Sequence, residues 1–261
     1  MDLGIAGKTA LVMSAGGGLG GAIAMALARE GAQVAVSDRS HAALERTVNQ
    51  IRDAGGNVRG YVADLAQLDS LDSMLEAIRR DLGDIDILIN NSGGPAPSPA
   101  AGVDSQTWRT QFDSMVLSLM HLTDRVLPSM RAKGWGRIVT STSSGVVAPI
   151  ANLGVSNTLR AALLGWSKTL ANEVARDGVC VNVVLPGRIG TERIRSLDEL
   201  RAQREGRSVD SVVAQSVATI PVGRYGSPEE YGDVVAFLAS ARASFITGSV
   251  IRVDGGMIQS I

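Results

Sequence analysis

The alternation of short apolar runs with longer amphipathic segments limits what this chain can become more than any other feature. TALVM (9–13), QVAVS (33–37), NVRGYVA (57–63), DILIN (86–90), RIVTS (137–141), VCVNVVL (179–185) and SVIRV (249–253) read as seven strands. Helical periods over 18–30, 41–54, 68–82, 104–131, 156–177 and 228–240 fill the gaps. Strands that are apolar throughout are buried on both faces, which calls for a parallel sheet with helices on each side. Right-handed crossovers then give an α/β fold, a doubly wound Rossmann-type sheet of about seven strands. Its ligand crevice lies at the strand carboxyl ends.

No linker, repeat or low-complexity run divides residues 1–261, so one dinucleotide-binding domain is expected. The irregular, arginine-rich block 188–226 is too long for a simple αβ connection and is expected to form a helical flap beside the crevice. Thirty glycines against three each of Trp, Tyr and Phe indicate many tight turns and an aliphatic core. A formal net charge of −1 gives no global field to recruit nucleic acid or a membrane surface. Cys180, the sole cysteine, excludes internal disulfides and cysteine-rich metal sites, and reads as a buried strand residue; no metal is expected. The opening MDLGIAGKTA lacks the basic and apolar regions of a secretion signal. No apolar run approaches the roughly 18 residues of a membrane span. A cytoplasmic protein is expected.

Directly after the first strand comes Ser14-Ala15-Gly16-Gly17-Gly18-Leu19-Gly20, opening a helix at about Gly18. Glycines there let backbone N–H groups and a helix N-terminus approach a diphosphate. The second strand ends at Asp38, eighteen residues beyond Gly20, where a carboxylate can accept from both ribose hydroxyls of an adenosine. Its charge repels a 2′-phosphate, and Gly17 offers no basic group to hold one, which favours NAD. Arg39, next along, keeps NADP open. Asp38 also reads plainly as a helix cap or turn residue.

From these residues on, the chain resembles the short-chain dehydrogenase/reductase family, over nearly its whole length and most closely 3-oxoacyl-(acyl-carrier-protein) reductase-like members. The family's glycine motif is similar to residues 13–20, with Met13-Ser14 where Thr-Gly opens it. The resemblance implies that Asp64 and Leu65 contact adenine. It implies that Asn91, Ser92 and Gly93 form part of the cofactor site, with Asn91 beside the ribose. It also implies that Pro186, Gly187, Ile189 and Thr191 border the nicotinamide, the last two gripping its carboxamide. Asn182 matches a structural asparagine. Gly223–Glu230, Ile246–Gly248 and Val253–Gly256 complete the pattern. Pairing of the helices 104–131 and 156–177 across a two-fold, into a homodimer or tetramer, is implied as well; Ala161, Ala162 and Gly165 give the second helix a small-residue face.

The catalytic positions depart from that family. Its proton donor is a tyrosine made more acidic by a lysine four residues on, helped by a serine and by an asparagine that holds a relay water. Ser143 occupies the serine's place, uncertain by a residue because Ser141 and Ser144 flank it. Ser156 stands for the tyrosine, Arg160 for the lysine and Met115 for the asparagine. Serine is a far weaker acid than a phenol of pKa about 10. Arginine stays protonated, so it stabilises an alkoxide or a carboxylate without cycling a proton. The plain alternatives are a helix N-cap for Ser156 and a structural cation for Arg160, paired with a carboxylate or capping carbonyls. Arg160 could equally hold the nicotinamide ribose. Tyr61, Tyr225, Tyr231, His41 and His121 are not placed to substitute.

Three functions follow from these residues. The first is an NAD(P)-dependent oxidoreductase for a small carbonyl or hydroxy compound, with atypical proton transfer. Arg160, Arg188, Arg193 and Arg195 suggest that its substrate is anionic, although a charged flap also suits plain solvation. Pro95, Pro97 and Pro99 stiffen a loop expected to border its pocket. The second is an NAD-binding sensor or silent subunit. The third is a lyase or dehalogenase, because halohydrin dehalogenases resemble the family and carry arginine in the lysine's place; those enzymes keep the tyrosine and have lost the nucleotide site.

Overall fold

The computed structural model describes residues 1–261 and pairs seven strands in parallel. They are β1 (Thr9–Val12), β2 (Gln33–Asp38), β3 (Val58–Val62), β4 (Ile87–Asn90), β5 (Gly136–Ser141), β6 (Val179–Pro186) and β7 (Val250–Val253). Their order across the sheet is β3-β2-β1-β4-β5-β6-β7, so the winding reverses between β1 and β4. A doubly wound sheet opens a crevice where its order reverses.

Successive side chains of each strand feed opposite layers. Ala10 and Val12 join one core with Val34, Val36, Ile87 and Ile89, covered by α1 (Gly18–Arg29), α2 (His41–Asp53) and α9 (Pro228–Leu238). Leu11 joins the other with Leu88, Ile138 and Val181, covered by α3 (Leu68–Leu82), α5 (Ser118–Lys133) and α6 (Gly154–Val174). Each such Leu, Ile or Val stabilises the fold by about 1.5–3 kcal/mol on burial. Both layers must be filled, which explains why β1, β4 and β5 are buried at every residue. The sheet edges β3 and β7 are not.

Two expectations need correction. The segment 104–131 is not one regular helix: α4 (Ser105–Phe112) passes through a π-turn at Asp113–Leu117 into α5. Ser114 and Ser118 hydroxyls donate to the Thr110 and Ser114 carbonyls there, competing with the regular main-chain ladder. Met115 lies on that turn, buried in an apolar cluster with Val116, Leu119, Val155, Leu159 and Leu163. The next helix begins at Gly154, two residues before the expected start. Block 188–226 contains α7 (Glu192–Glu205) and α8 (Val209–Val217). No helix is long and apolar enough to cross a membrane.

Candidate active site

A cavity of about 520 Å³ opens at the carboxyl ends of β1, β4, β5 and β6. Its wall brings together residues far apart in sequence. Ser14, Gly16, Gly18, Leu19, Gly20 and Asp38 line one end. Asn91, Ser92, Gly93, Pro186, Gly187, Ile189 and Thr191 contribute as well. Ser143, Ser156 and Arg160 face the same space. Arg39, Asp64 and Leu65 do not line it. The Asp64 carboxylate turns back to accept the Ala66 N–H, and Leu65 packs toward the cores. Arg39 is exposed to solvent. The prolines 95, 97 and 99 lie outside the lining too; of that loop only Gly93 and Gly94 reach it.

The glycine-rich end fits a dinucleotide diphosphate. Helix α1 starts at Gly18 with no side-chain cap, and the N–H groups of Gly18, Leu19 and Gly20 have no partner in the protein. They are orphan donors at the positive end of a helix dipole. Gly16 is obligatory for a different reason: a Cβ there would sit 2.9 Å from the Asp38 carboxylate. That close approach lets Gly16 N–H donate to Asp38 Oδ2 at 3.0 Å, while Ser40 N–H donates to Oδ1 at 2.9 Å. Asp38 is therefore a turn residue and a cavity residue at once. Ser14, where the family pattern has glycine, takes a φ of 48°, a left-handed conformation that strains serine. Asn91 braces the turn by donating to the Met13 and Ser14 carbonyls.

At the other end the structure separates the clustered serines. The Ser141 hydroxyl is paired with Tyr231 OH at 2.8 Å. Ser143 Oγ accepts the Gly145 N–H at 3.1 Å, leaving its own proton available. Ser156 is not a cap: Leu153 holds that position, and Ser156 sits in the first turn of α6 against the cavity. Arg160, one helical turn on, is 8% exposed and donates through Nη2 to the Ser92 and Gly93 carbonyls, at 3.1 and 2.8 Å. Burial, with the Arg193 charge nearby, pushes its guanidinium down to about 10, so it remains a cation at neutral pH.

Tyr231 does not substitute for the missing phenol either, since it is absent from the cavity wall, but it carries a structural role that its sequence position does not show. It lies fully buried behind Ser141, and burial pushes its hydroxyl well above the usual phenol range. Tyr61 and Tyr225 bond Asp81 and Asp198 away from the reactive end, and His121 bonds Asp72 at 2.8 Å. Cys180 is buried and directed at the Ser244 carbonyl. Asn182 ties β6 to its neighbour by donating to the Ile246 carbonyl and accepting from Ser249 N–H. No tyrosine, lysine, histidine or cysteine lines the cavity; its only carboxylates are Asp38 and Glu192.

Comparison with known proteins fits this geometry. A family model described as enoyl-(acyl carrier protein) reductase matches residues 14–258. The 3-oxoacyl-(acyl-carrier-protein) reductase FabG of Escherichia coli is 38% identical over 254 residues, covering 96% of this chain and 97% of that protein. The crystal structure of L-sorbose reductase from Gluconobacter frateurii, complexed with NADPH and L-sorbose, superposes with a TM-score of 0.94 at 31% identity over the full length of both chains. An NAD+-bound xylitol dehydrogenase superposes with a TM-score of 0.90 at 30% identity, covering 97% of this chain and 99% of that one. With the family model matching residues 14–258 and a relative 38% identical over 96% of the chain, the chain belongs to the short-chain dehydrogenase/reductase family of oxidoreductases.

Proposed function

We propose that the protein is an NAD(P)-dependent oxidoreductase that interconverts a carbonyl and a hydroxyl group without the tyrosine–lysine pair of its family. The single observation behind this reading is one cavity that runs from orphan N–H donors at Gly18–Gly20 to Ser143, Ser156 and Arg160, with no phenol in its wall. A bound nicotinamide dinucleotide supplies or accepts the hydride. The chain's own residues do the rest. The α1 N-terminus holds the diphosphate, and Asp38 accepts from the adenosine ribose. At the reactive end the substrate oxygen needs a proton in one direction and loses one in the other. Ser143 and Ser156 offer hydroxyls for hydrogen bonding to that oxygen, and Arg160 adds a fixed positive charge to the reactive end of the cavity. The proton itself passes to or from water through these hydroxyls. Loss of a positioned general acid costs about 10²–10⁴ in rate, so turnover is slow.

Asp38 favours NAD over NADP. Solved relatives carry either NADPH or NAD+, and Arg39, exposed beside Asp38, is the group that would receive a 2′-phosphate. The lack of a phenol also favours a second reading, a dinucleotide-binding protein with no turnover. An assay of the purified chain with NAD(H) and NADP(H) across ketones, acyl thioesters and polyols decides between them. Dinucleotide-dependent turnover supports the enzyme; tight dinucleotide binding with none on any substrate class supports the second reading.

A further inference from the structure

Four arginines were candidates for meeting an anionic substrate, and the structure divides them. Arg188 is committed: its Nη1 lies 2.7 Å from Asp198, and it stacks on the Tyr225 ring. Arg195 faces Glu199 on the outer side of α7 at 3.6 Å. Arg160 and Arg193 have no carboxylate within ion-pair distance. Each bonds only main-chain carbonyls, Arg160 those of Ser92 and Gly93, and Arg193 that of Pro95 at 3.1 Å.

The two guanidiniums converge on one point. A Cβ built at Gly94 would lie 3.0 Å from Arg193 Nη2 and 3.4 Å from Arg160 Nη2. A guanidinium carries five N–H donors, so both keep donors that no protein group satisfies, and both line the cavity. Like charges this close oppose each other, with Arg160 buried and Arg193 exposed at the mouth of the cavity, where water screens part of the repulsion. An oxyanion between them turns the repulsion into two attractions. The chain does not provide one. Glu192 lines the cavity without bonding either arginine, and Asp38, at the opposite end, is held by Gly16 and Ser40.

We propose that Arg160 and Arg193 jointly hold a carboxylate of the substrate, so that the compound interconverted is an oxo acid and its hydroxy acid. This rests on the oxidoreductase reading above and names its substrate class. The planar fork of arginine suits a carboxylate. The position suits substrate better than coenzyme diphosphate, because the orphan N–H groups of Gly18–Gly20 belong to α1, whereas these arginines frame the loop after β4 beside Ser156.

The test is calorimetric titration of pyruvate, acetoacetate and levulinate, each beside its methyl ester, into the full chain with and without NAD+. These acids set the carbonyl at increasing distance from the carboxylate. At least one acid is expected to bind tenfold or more tightly than its ester. Arg193→Gln should weaken that acid by about 10- to 100-fold, the range of a lost charge-assisted contact. It should leave the ester and NAD+ unaffected, and Arg195→Gln should change nothing. Equal affinity for every acid and its ester overturns the proposal. So does an Arg193→Gln variant that loses affinity for NAD+ and not for the acid, which assigns the pair to the coenzyme diphosphate. Failure of NAD+ to bind at all, with acid binding intact, instead overturns the oxidoreductase reading.

Discussion

The Asp38 carboxylate accepts the Gly16 N–H at 3.0 Å, tying the end of the second strand to the glycine turn that follows the first. One side chain thus shapes the turn and presents charge to the ribose end of the cavity. Asp38→Asn can keep the acceptor for Gly16 while removing the charge and the second oxygen, which accepts the Ser40 N–H. It should weaken NAD+ by about tenfold, as for a lost hydrogen bond to a charged group, and narrow the preference against NADP+. Titration of both coenzymes into wild type and variant checks this; an unchanged ratio contradicts it.

The missing proton donor can be restored. Ser156→Tyr with Arg160→Lys should raise kcat by about 10²–10⁴, the usual contribution of a positioned general acid. Arg160→Lys alone should instead lower stability by about 1–3 kcal/mol, because the lysine ammonium ends one bond short of the Nη2 that donates to both the Ser92 and the Gly93 carbonyls. Steady-state kinetics and urea denaturation read the two effects separately. A double variant no faster than wild type would show that the proton step does not limit turnover.

Tyr231 offers a purely structural test. Removing its hydroxyl leaves buried Ser141 Oγ without its partner at 2.8 Å. Tyr231→Phe should therefore destabilise the fold by about 1–3 kcal/mol. The paired change with Ser141→Ala should recover part of this, since both polar ends then disappear together. A double-mutant cycle in urea checks it, and strict additivity would contradict the pairing.

Acid sensitivity should concentrate at the start of α9. Arg224 grips both oxygens of Glu230, Ser227 N–H donates to the same carboxylate, and together they hold Glu230 down to about 2. A carboxyl depressed on folding contributes stability that is complete above its unfolded pKa, near about 4.3, and lost as pH falls through the folded value. Glu230→Gln should lower Tm at neutral pH, and the gap to wild type should close as pH falls from about 5 toward 2. A gap that stays constant across that range contradicts the assignment.

The sheet was legible because its signal is local. Apolar runs such as ILIN and RIVTS are buried at every position and land where their composition places them. The glycine turn was legible for the same reason, since Gly16 to Gly20 lie between a strand and its helix. What escaped depends on partners far along the chain. Nothing near Ser141 announces Tyr231, ninety positions on. Asp198 lies only ten positions beyond Arg188, but periodicity does not show that it neutralises that arginine, and nothing near Arg193 shows that it meets Arg160 across the Gly94 loop. The outward turn of Asp64 and the π-turn at Asp113–Leu117 are likewise set by side-chain bonds to the backbone, which periodicity does not carry.

The most direct measurement is calorimetric titration of the purified chain with NAD+, NADH, NADP+ and NADPH. Saturable one-to-one binding of at least one dinucleotide is the expected result, with the NAD forms preferred. It should be weakened by Gly18→Asp, which sets a negative charge against the diphosphate seat. A well-folded chain that takes up none of the four would contradict the account at its base.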